Sequence, residues 1–434
     1  MNHKIASPEF DISAGGLGVI DRVARIVVFS HLSRIGNGTL IVEDSLGRRV
    51  FGNTGDSAHT TSTITVTDER FYRLAALKGG LGVAESYMND WWHSSDLPAT
   101  FRLFVRRIGN ESPVERTANW FFSLPAILGH KIRKNTRIGS RKNIRAHYDL
   151  GNELFQLFLD DTMTYSCGVF DDEDSTLMDA SRAKYDRICK KLGLGPDVHV
   201  LEVGSGWGGF AIYAAQNYGC RVTTTTISKE QFELAGQRID ASGLSDRITI
   251  LLKDYRDLTG QYDRVVSIEM IEAVGNDHLP TYFQKCASLL KPDGAMALQS
   301  ITMPDQRYKQ YLRSVDFIRQ FVFPGSCCPS RTAILEAVTS ASDLRLVHLE
   351  EIGPHYATTL RLWREAFISK LDQVRSLGYP GEFIRMWEFY LCYCEVGFAE
   401  RHVGNAQIVL HKPRCKIAPI LPILDVLQSS VAPD

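Results

Sequence analysis

The sequence predicts an α/β protein in which a Rossmann-like parallel sheet follows a smaller α+β domain. A short apolar run at 198–203 leads into a glycine-rich turn, and strand-like segments then alternate with helical ones. Such alternation is typical of βαβ units and of a parallel sheet whose ligand lies at the carboxyl ends of the strands. At 434 residues with 44% hydrophobic content, the chain is long and apolar enough for two hydrophobic cores.

The turn after the first predicted strand has the composition of a nucleotide-binding loop. In VHVLEVGSGWGG (198–209), Gly204, Gly206 and Gly208 remove the Cβ atoms that would block a tight turn and a closely bound ligand. Glu202 stands where a carboxylate can order this loop. Taken alone, the pattern also fits an ordinary glycine turn between a buried strand and a helix.

The second predicted strand argues against a dinucleotide. RVTTTTIS (221–228) is β-branched, and Ser228 and Gln231 have the spacing of a capping box that opens a helix. A dinucleotide-binding unit usually has an Asp or Glu near the end of this strand for the ribose, whereas this chain has only threonine and serine there. No Walker lysine follows the glycines either.

Two further strands favour S-adenosylmethionine. RITILLKD (247–254) and DRVVSIEM (263–270) are the third and fourth predicted strands, and the third ends in the polar cluster Asp254-Tyr255-Arg256. A carboxylate in the first strand, a glycine turn and a polar cluster after the third strand match the layout of a class I methyltransferase domain. The sequence therefore predicts a Rossmann-like class I methyltransferase domain.

Charge, hydropathy and cysteine content limit the class of protein. The net charge of −1 gives no global field that would draw the protein to nucleic acid. The sequence shows no apolar run of 18 residues and no signal-peptide pattern, so we expect a cytoplasmic protein, peripheral on the inner membrane face. Nine cysteines without a zinc-ligand pattern indicate reduced thiols and no metal site.

The densest basic segment is KIRKNTRIGSRKNIR (131–145), which holds seven Lys or Arg residues and no acid. Trp120, Phe121 and Phe122 precede it. Cations beside aromatic residues suit an anionic bilayer surface, where each basic residue contributes on the order of 1 kcal/mol. A solvated linker face is the competing interpretation, and nucleic acid is less favoured because the rest of the domain is not basic.

We divide the chain into four parts. Residues 1–110 are an N-terminal domain, residues 111–142 a basic linker, residues 143–413 the catalytic domain and residues 414–434 a C-terminal tail. In the first part, alternation in TSTITVTD (61–68) predicts a strand, and LGRRVFGN (46–53) predicts the edge of a hairpin. The pattern becomes helical after these strands.

Motifs that follow in order along 143–413 resemble the cyclopropane-fatty-acyl-phospholipid synthase family, which includes the mycolic acid cyclopropane synthases. They are HYDLGNELF (147–155), TMTYSCGVF (162–170), EVGSGWGG (202–209), TISKEQ (226–231), DYRDL (254–258), IEAVG (271–275), VFPGSCCPS (322–330) and HYATTLRLW (355–363). The resemblance implies that a methylene from S-adenosylmethionine is added across the cis double bond of an unsaturated phospholipid acyl chain. It also implies a lipid-handling N-terminal domain and a homodimer at the bilayer surface.

The implied reaction is methyl transfer to an alkene, followed by loss of a proton from the carbocation. Because an alkene is a weak nucleophile, the sulfonium methyl must be held in line with the double bond. The cation needs aromatic faces, a nearby anion and exclusion of water. Aromatic residues crowd the candidate segments, although most must pack the core: Tyr165, Phe170, Phe317, Phe321, Phe323, Tyr356, Trp363 and Tyr390.

In the family the base is a bicarbonate ion, and the resemblance implies where it would bind. Its site is formed by the backbone at Cys167 and Ile301, the carboxylate of Glu272, the side chain of Gln299 and the hydroxyl of Tyr356. Cofactor contacts implied in the same way are Tyr165, Ser166, Gly204, Gly206, Thr226, Ile227, Gln231, Tyr255 and Ile268.

Cys394 matches a position in the family that has been described as a catalytic cysteine. Because bicarbonate removes the need for a thiolate, we interpret Cys394 as a structural residue on a helix.

Two departures from the family pattern fall in the implied base site. The commonest pattern has His where this chain has Ala273 and Gln299. Gln can donate an N–H to bicarbonate, but it cannot take up a proton. Two alternatives therefore stay open. The first is an S-adenosylmethionine-dependent fatty acyl methyltransferase that gives a methylene-branched chain, and the second is a non-catalytic lipid-binding protein.

Overall fold

The computed structural model describes residues 18–36, 38–53, 60–108 and 150–420. The basic segment 131–145, the aromatic residues before it and most of the C-terminal tail lie outside these ranges, so their predicted roles stay predictions. Within the described ranges, no helix is long and apolar enough to cross a membrane, and no cluster of side chains is suited to hold a metal ion. All nine cysteines are free thiols.

The N-terminal part of the chain packs helices against a small mixed sheet. Its elements are α1 (Val19–Leu32), β1 (Gly38–Asp44), β2 (Gly47–Asn53), β3 (Thr61–Val66), α2 (Arg70–Lys78), α3 (Gly80–Met88), β4 (Trp92–Ser94) and α4 (Leu97–Ile108). The strand order is β2-β1-β3-β4, with β1 antiparallel to β2 and parallel to β3. The structure confirms the hairpin edge predicted at 46–53 and the strand predicted at 61–68.

The larger sheet has seven strands. They are β5 (His199–Val203), β6 (Arg221–Thr226), β7 (Ile248–Leu252), β8 (Tyr262–Ile268), β9 (Leu290–Thr302), β10 (Arg345–Glu351) and β11 (Gly404–His411). Their order is β10-β11-β9-β8-β5-β6-β7, and every neighbouring pair is parallel except the two that involve β11. The four predicted strands are confirmed as β5 to β8. The strand order reverses between β5 and β8, where ligands bind in sheets of this type.

Helices cover both faces of the larger sheet. They are α5 (Asn152–Phe158), α6 (Leu177–Lys191), α7 (Gly209–Tyr218), α8 (Lys229–Ala241), α9 (Leu279–Leu289), α10 (Asp305–Leu312), α11 (Arg331–Ala341), α12 (Gly353–Ser369), α13 (Leu371–Ser376) and α14 (Gly381–Ala399). Consecutive strand residues point to opposite faces, and Val200 and Leu201 accordingly belong to different hydrophobic clusters. The observed architecture is thus the predicted α/β class.

Polar side chains of helix α14 bond it to the N-terminal part of the chain. Arg385 donates from Nη2 to the carbonyl of Trp92 at 2.7 Å and pairs with Asp90 at 2.8 Å. The hydroxyl of Tyr87 donates to Glu388 at 2.9 Å. These contacts hold one face of α14 against the N-terminal part. The opposite face of the helix lies in the larger domain.

We expect Arg385→Ala to lower the free energy of unfolding by about 2 kcal/mol, because it removes a charged donor from main-chain carbonyls. Urea unfolding followed by tryptophan fluorescence measures the change. Arg375→Ala is the matched control, since the Arg375 side chain is 59% exposed and its partner Asp372 is 99% exposed; we expect a change within about 0.5 kcal/mol. Equal effects of the two substitutions would contradict this account of α14.

Candidate functional site

A cavity of about 570 Å³ lies at the carboxyl ends of β5 to β8. All ten predicted cofactor residues line it: Tyr165, Ser166, Glu202, Gly204, Gly206, Thr226, Ile227, Gln231, Tyr255 and Ile268. Four of the six predicted catalytic residues also line it, namely Glu272, Ile301, Tyr356 and Cys394. The structure therefore brings together residues that lie far apart in the sequence, while their individual roles stay predictions.

The glycine-rich turn has the backbone geometry that the sequence predicts. Gly204 has φ +99°, and a Cβ atom there would lie 3.0 Å from Met270 Cγ. Gly208 has φ +85° and precedes α7. The carbonyl of Thr225 accepts from the backbone N–H groups of Gly204 (3.1 Å) and Ser205 (2.9 Å). Backbone bonds to the neighbouring strand thus hold this turn.

The expectation that Glu202 orders this turn needs correction. Glu202 is buried and accepts from the hydroxyl of Thr224 at 2.6 Å, within the sheet, and its side chain bonds no loop amide in the described residues. Burial raises the pKa of Glu202 to about 8. Glu202 lines the cavity beside the turn.

Two polar side chains at the start of α8 are fixed before any ligand binds. Ser228 accepts from the backbone N–H of Gln231 at 3.2 Å, which confirms the predicted cap. Gln231 uses its side chain differently from a capping box, because its Oε1 accepts from the hydroxyl of Thr226 at 2.8 Å. Gln231 itself lines the cavity.

A buried lysine supports the segment 162–170. Lys184 donates from Nζ to the hydroxyl of Ser166 at 2.6 Å. Burial lowers the pKa of Lys184 to about 8, while the charge of Glu269 acts in the opposite direction. Lys184 therefore places a partial positive charge behind the cavity wall, and sequence reasoning did not single it out.

The centre of the implied base site is occupied by Glu269, which the sequence analysis did not select. Its Oε1 accepts from the backbone N–H of Cys167 (3.0 Å), the amide of Gln299 (2.9 Å) and the amide of Asn405 (2.6 Å). Its Oε2 accepts from the hydroxyl of Tyr356 at 2.6 Å. Four donors from four separate segments thus converge on one carboxylate.

The sequence contained one signal for Glu269. It is an acid directly after the apolar strand β8, where the carboxyl ends of the parallel strands meet. Its backbone has φ +48°, which non-glycine residues rarely adopt and which is often found at functional sites. The motif IEAVG drew attention instead to Glu272, three residues further along.

Glu272 lies beside this carboxylate in a different environment. Its Oε1 accepts from the backbone N–H of Ile301 (2.6 Å) and the hydroxyl of Ser300 (3.1 Å). Its Oε2 is buried and has no hydrogen-bond partner in the described part of the chain. Burial, and then the charge of Glu269, raise the pKa of Glu272 to about 8. At neutral pH the carboxyl group of Glu272 is therefore mainly protonated.

A relay of buried amides fixes the orientation of Gln299. Gln407 donates from Nε2 to Oε1 of Gln299 at 3.0 Å, and Lys191 donates from Nζ to Oε1 of Gln407 at 2.6 Å. The Nε2 of Gln299 must then face Glu269. Cys167 and Gln299 are fully buried behind Glu269 and do not line the cavity.

These residues do not fit bicarbonate in the way the resemblance implies. The donors of Cys167, Gln299 and Tyr356 are all bonded to Glu269, and that of Ile301 is bonded to Glu272. A bicarbonate ion would have to displace a protein carboxylate to reach them.

Aromatic rings form the apolar part of the wall. The hydroxyls of Tyr165 and Tyr390 lie 2.9 Å apart, and the ring of Tyr356 stacks on that of Phe398 with centroids 4.4 Å apart. Of the eight aromatic residues proposed from sequence, Tyr165, Phe323, Tyr356 and Tyr390 line the cavity. The others, Phe170, Phe317, Phe321 and Trp363, do not line it, so the set divides between the site and the packing around it.

Cys394 lines the cavity, but burial raises its pKa. A buried thiol in apolar surroundings is a poor source of thiolate. This environment agrees with the interpretation of Cys394 as a structural residue.

The fold and the turn define a class, the S-adenosylmethionine-dependent methyltransferases of class I. Within that class, the family model for mycolic acid cyclopropane synthetase matches residues 135–408. The chain belongs to this family, so the resemblance and the fold class predicted from the sequence are confirmed.

Individual relatives support the assignment. The chain is 41% identical over 339 residues to tuberculostearic acid methyltransferase UfaA1 of Mycobacterium tuberculosis. The aligned region covers 76% of this chain and 79% of that protein. It is 35% identical over 350 residues to cyclopropane-fatty-acyl-phospholipid synthase of Escherichia coli, with 80% and 87% covered.

A solved structure of mycolic acid cyclopropane synthase CmaA1, complexed with SAH and CTAB, superposes with TM-score 0.59 and 32% identity. The superposed region covers 63% of this chain and 98% of the CmaA1 chain. The protein is therefore an S-adenosylmethionine-dependent enzyme that cyclopropanates or methylates lipids.

The pKa of Glu272 predicts how stability depends on pH. The folded-state pKa, about 8, lies above the ordinary value of 4.5, so this carboxyl's contribution is fully present below about pH 4.5 and is lost as pH rises through about 8. In Glu272→Gln this ionisation is absent. We therefore compare the melting temperatures of the two proteins. We expect the difference, variant minus wild type, to increase as the pH is raised from 5 to 9 (about two units either side of neutrality).

Thermal melts of the ligand-free proteins across this pH range measure the difference. Glu202 titrates in both proteins, so its effect cancels in the difference between their melting temperatures. Glu336→Gln, at an exposed position on α11, is the control and should show a difference that does not vary with pH. The same flat profile for Glu272→Gln would show that Glu272 does not titrate as its burial implies.

Proposed function

We propose that the protein transfers the methyl group of S-adenosylmethionine to the cis double bond of a phospholipid acyl chain and closes a cyclopropane ring. The observation that carries the proposal is the carboxylate of Glu269, held by four donors in a cavity that also contains the glycine-rich turn and aromatic rings. The phospholipid substrate is inferred from the name of the Escherichia coli relative. The predicted homodimer and attachment to the bilayer are further parts of the proposal.

When bound, S-adenosylmethionine supplies a methyl group on a strongly electrophilic sulfonium. The chain's aromatic rings exclude water and present their faces to the positive charge that develops on the acyl chain as the new C–C bond forms and the C–S bond breaks. Glu269 places a compensating negative charge in this dry site. Glu272 is mainly neutral at pH 7, because burial raises its pKa to about 8.

Glu269 then acts as the base. One of its oxygens removes a proton from the transferred methyl group, and the electron pair of that C–H bond closes the ring. The proton stays on the carboxyl group until product leaves. In this proposal Glu269 supplies the carboxylate that the family resemblance assigned to bicarbonate. A carboxylate and bicarbonate accept the same kind of hydrogen bond, so Glu269 can use the donors that the resemblance assigned to bicarbonate.

A methylene-branched product is the second candidate, and the 41% identity to tuberculostearic acid methyltransferase UfaA1 favours it. In that reaction a hydride shift precedes loss of a proton from a neighbouring carbon, so the same base acts at a different atom. The position of Glu269 relative to the acyl chain decides between the two products. A non-catalytic lipid-binding protein is less favoured, because the turn and the base site are intact.

Proton NMR of the methyl-esterified lipids formed from dioleoyl phospholipid and S-adenosylmethionine distinguishes the products. We expect upfield cyclopropane signals, because the methyl protons lie nearest to the base in our proposal. Vinylidene signals without ring protons would assign the protein to the methylene-forming reaction. A preparation that binds the cofactor by calorimetry but gives neither product would refute the proposed function.

We expect Glu269→Ala to reduce turnover by about two orders of magnitude or more, as is typical of a lost general base. The substitution frees the donors of Cys167, Gln299, Tyr356 and Asn405, so formate or bicarbonate should restore part of the rate. Calorimetric binding of S-adenosylmethionine should be retained, which shows that the site is folded.

Glu365→Ala is the matched control, since its side chain is 50% exposed on α12 and pairs only with the exposed Arg361 in the described residues; its turnover should equal that of wild type. Wild type in carbon dioxide-depleted buffer should not respond to added bicarbonate. Stimulation of wild type by bicarbonate, without rescue of Glu269→Ala, would return the role of base to bicarbonate.

A further inference from the structure

Part of the cavity wall is formed by polar groups that methyl transfer does not use. Arg307 and Gln310 lie one turn apart on α10 and so share a face of the helix, and Ser314 follows the end of the helix. All three line the cavity. Val105 of α4 and Val403 contribute apolar surface to the same lining. The wall therefore combines a cationic group with surface suited to an acyl chain.

Arg307 is bound by neutral groups. Its Nη1 lies 2.7 Å and 2.5 Å from the two ring nitrogens of His402, and its Nη2 donates to the carbonyl of His402. Burial, and then the charge of Arg307, lower the pKa of His402 to about 4, so the imidazole is neutral at pH 7. The charge of Arg307 is thus not cancelled by its partner.

Some arginines of the described residues, such as Arg238, bond main-chain carbonyls as Arg307 does, whereas three others have a carboxylate partner. Arg106, Arg364 and Arg385 each form an ion pair with a carboxylate, and Arg307 forms none in the described part of the chain. Asp316, which lines the same cavity, accepts from the backbone N–H of Arg319 at 2.9 Å, and burial raises its pKa. The half-buried Arg307 therefore lacks an anion that a ligand can supply.

We propose that Arg307, with Gln310 and Ser314, binds the anionic group of the lipid substrate while the acyl chain occupies the apolar cavity toward Glu269. A guanidinium has a planar fork of donors that matches two oxygens of a phosphate diester or of a carboxylate. An uncompensated buried cation is unfavourable, and such an anion would complete the pair. This inference rests on the proposed function, since it assigns the polar end of that substrate.

Binding below the micelle concentration tests the proposal without turnover. The probes are oleoyl lysophosphatidylglycerol with a phosphate diester, oleate with a carboxylate, and monooleoylglycerol with no charge. Tryptophan fluorescence reports binding to wild type, Arg307→Gln and the control Arg313→Gln, which changes an exposed residue outside the cavity lining.

We expect Arg307→Gln to weaken binding of an anionic probe about tenfold or more, as is typical for loss of a charged hydrogen bond. Binding of monooleoylglycerol should not change, and Arg313→Gln should match wild type with every probe. A loss confined to the lysophospholipid identifies a headgroup phosphate, and a loss confined to oleate identifies an acyl carboxylate. Equal affinities of wild type and Arg307→Gln for both anions would overturn the proposal.

Arg307→Lys keeps the charge but not the fork, and we expect several-fold weaker binding of the same anion. This variant decides the question if circular dichroism shows that Arg307→Gln is unfolded; unchanged affinity for both anions would then overturn the proposal. The two proposals fail separately. Absence of methyl transfer by wild type would refute the proposed function, whereas the comparison of probes would still decide whether Arg307 binds an anion.

Discussion

The partly buried carboxylate of Glu269 is the constraint on which the site depends. A charge in this position is tolerated only when donors satisfy its oxygens, and here they come from the segment at Cys167, from β9, from α12 and from the start of β11. Those four segments must therefore converge at the carboxyl end of β8. The antiparallel pairing of β11 with β9, which sets Asn405 opposite Ile301, contributes directly to this geometry.

Glu269 and Glu272 are neighbouring acids, but their hydrogen-bond partners differ. Glu272 has one satisfied oxygen and one buried oxygen with no partner in the described part of the chain, so its proton is held more tightly. Glu269, in contrast, accepts hydrogen bonds at both of its carboxylate oxygens. A carboxyl group whose pKa is strongly raised by burial, as that of Glu272 is, often marks a functional site. In the proposed reaction, the carboxylate of Glu269 and the aromatic rings of the cavity would stabilise the carbocation intermediate.

Much of the fold could be predicted because its signals are local. The strands β5 to β8, the positive φ of Gly204 and the cap at Ser228 each follow from a few adjacent residues. The base site could not be predicted in the same way. Glu269 and Asn405 are 136 positions apart, and the motif match pointed to Glu272. The environment that distinguishes these two acids exists only once the distant strands have paired.

The attachment of α14 affects more than stability. One face of this helix is bonded to the N-terminal sheet through Arg385, and the other presents Tyr390 and Cys394 to the cavity. The CmaA1 chain is covered almost completely by 63% of this protein, so the present chain extends well beyond the shared part. Substitutions in the N-terminal part can shift α14 and so change the shape of the cavity. The size of lipid that the cavity admits can therefore depend on residues that are remote from every reacting atom.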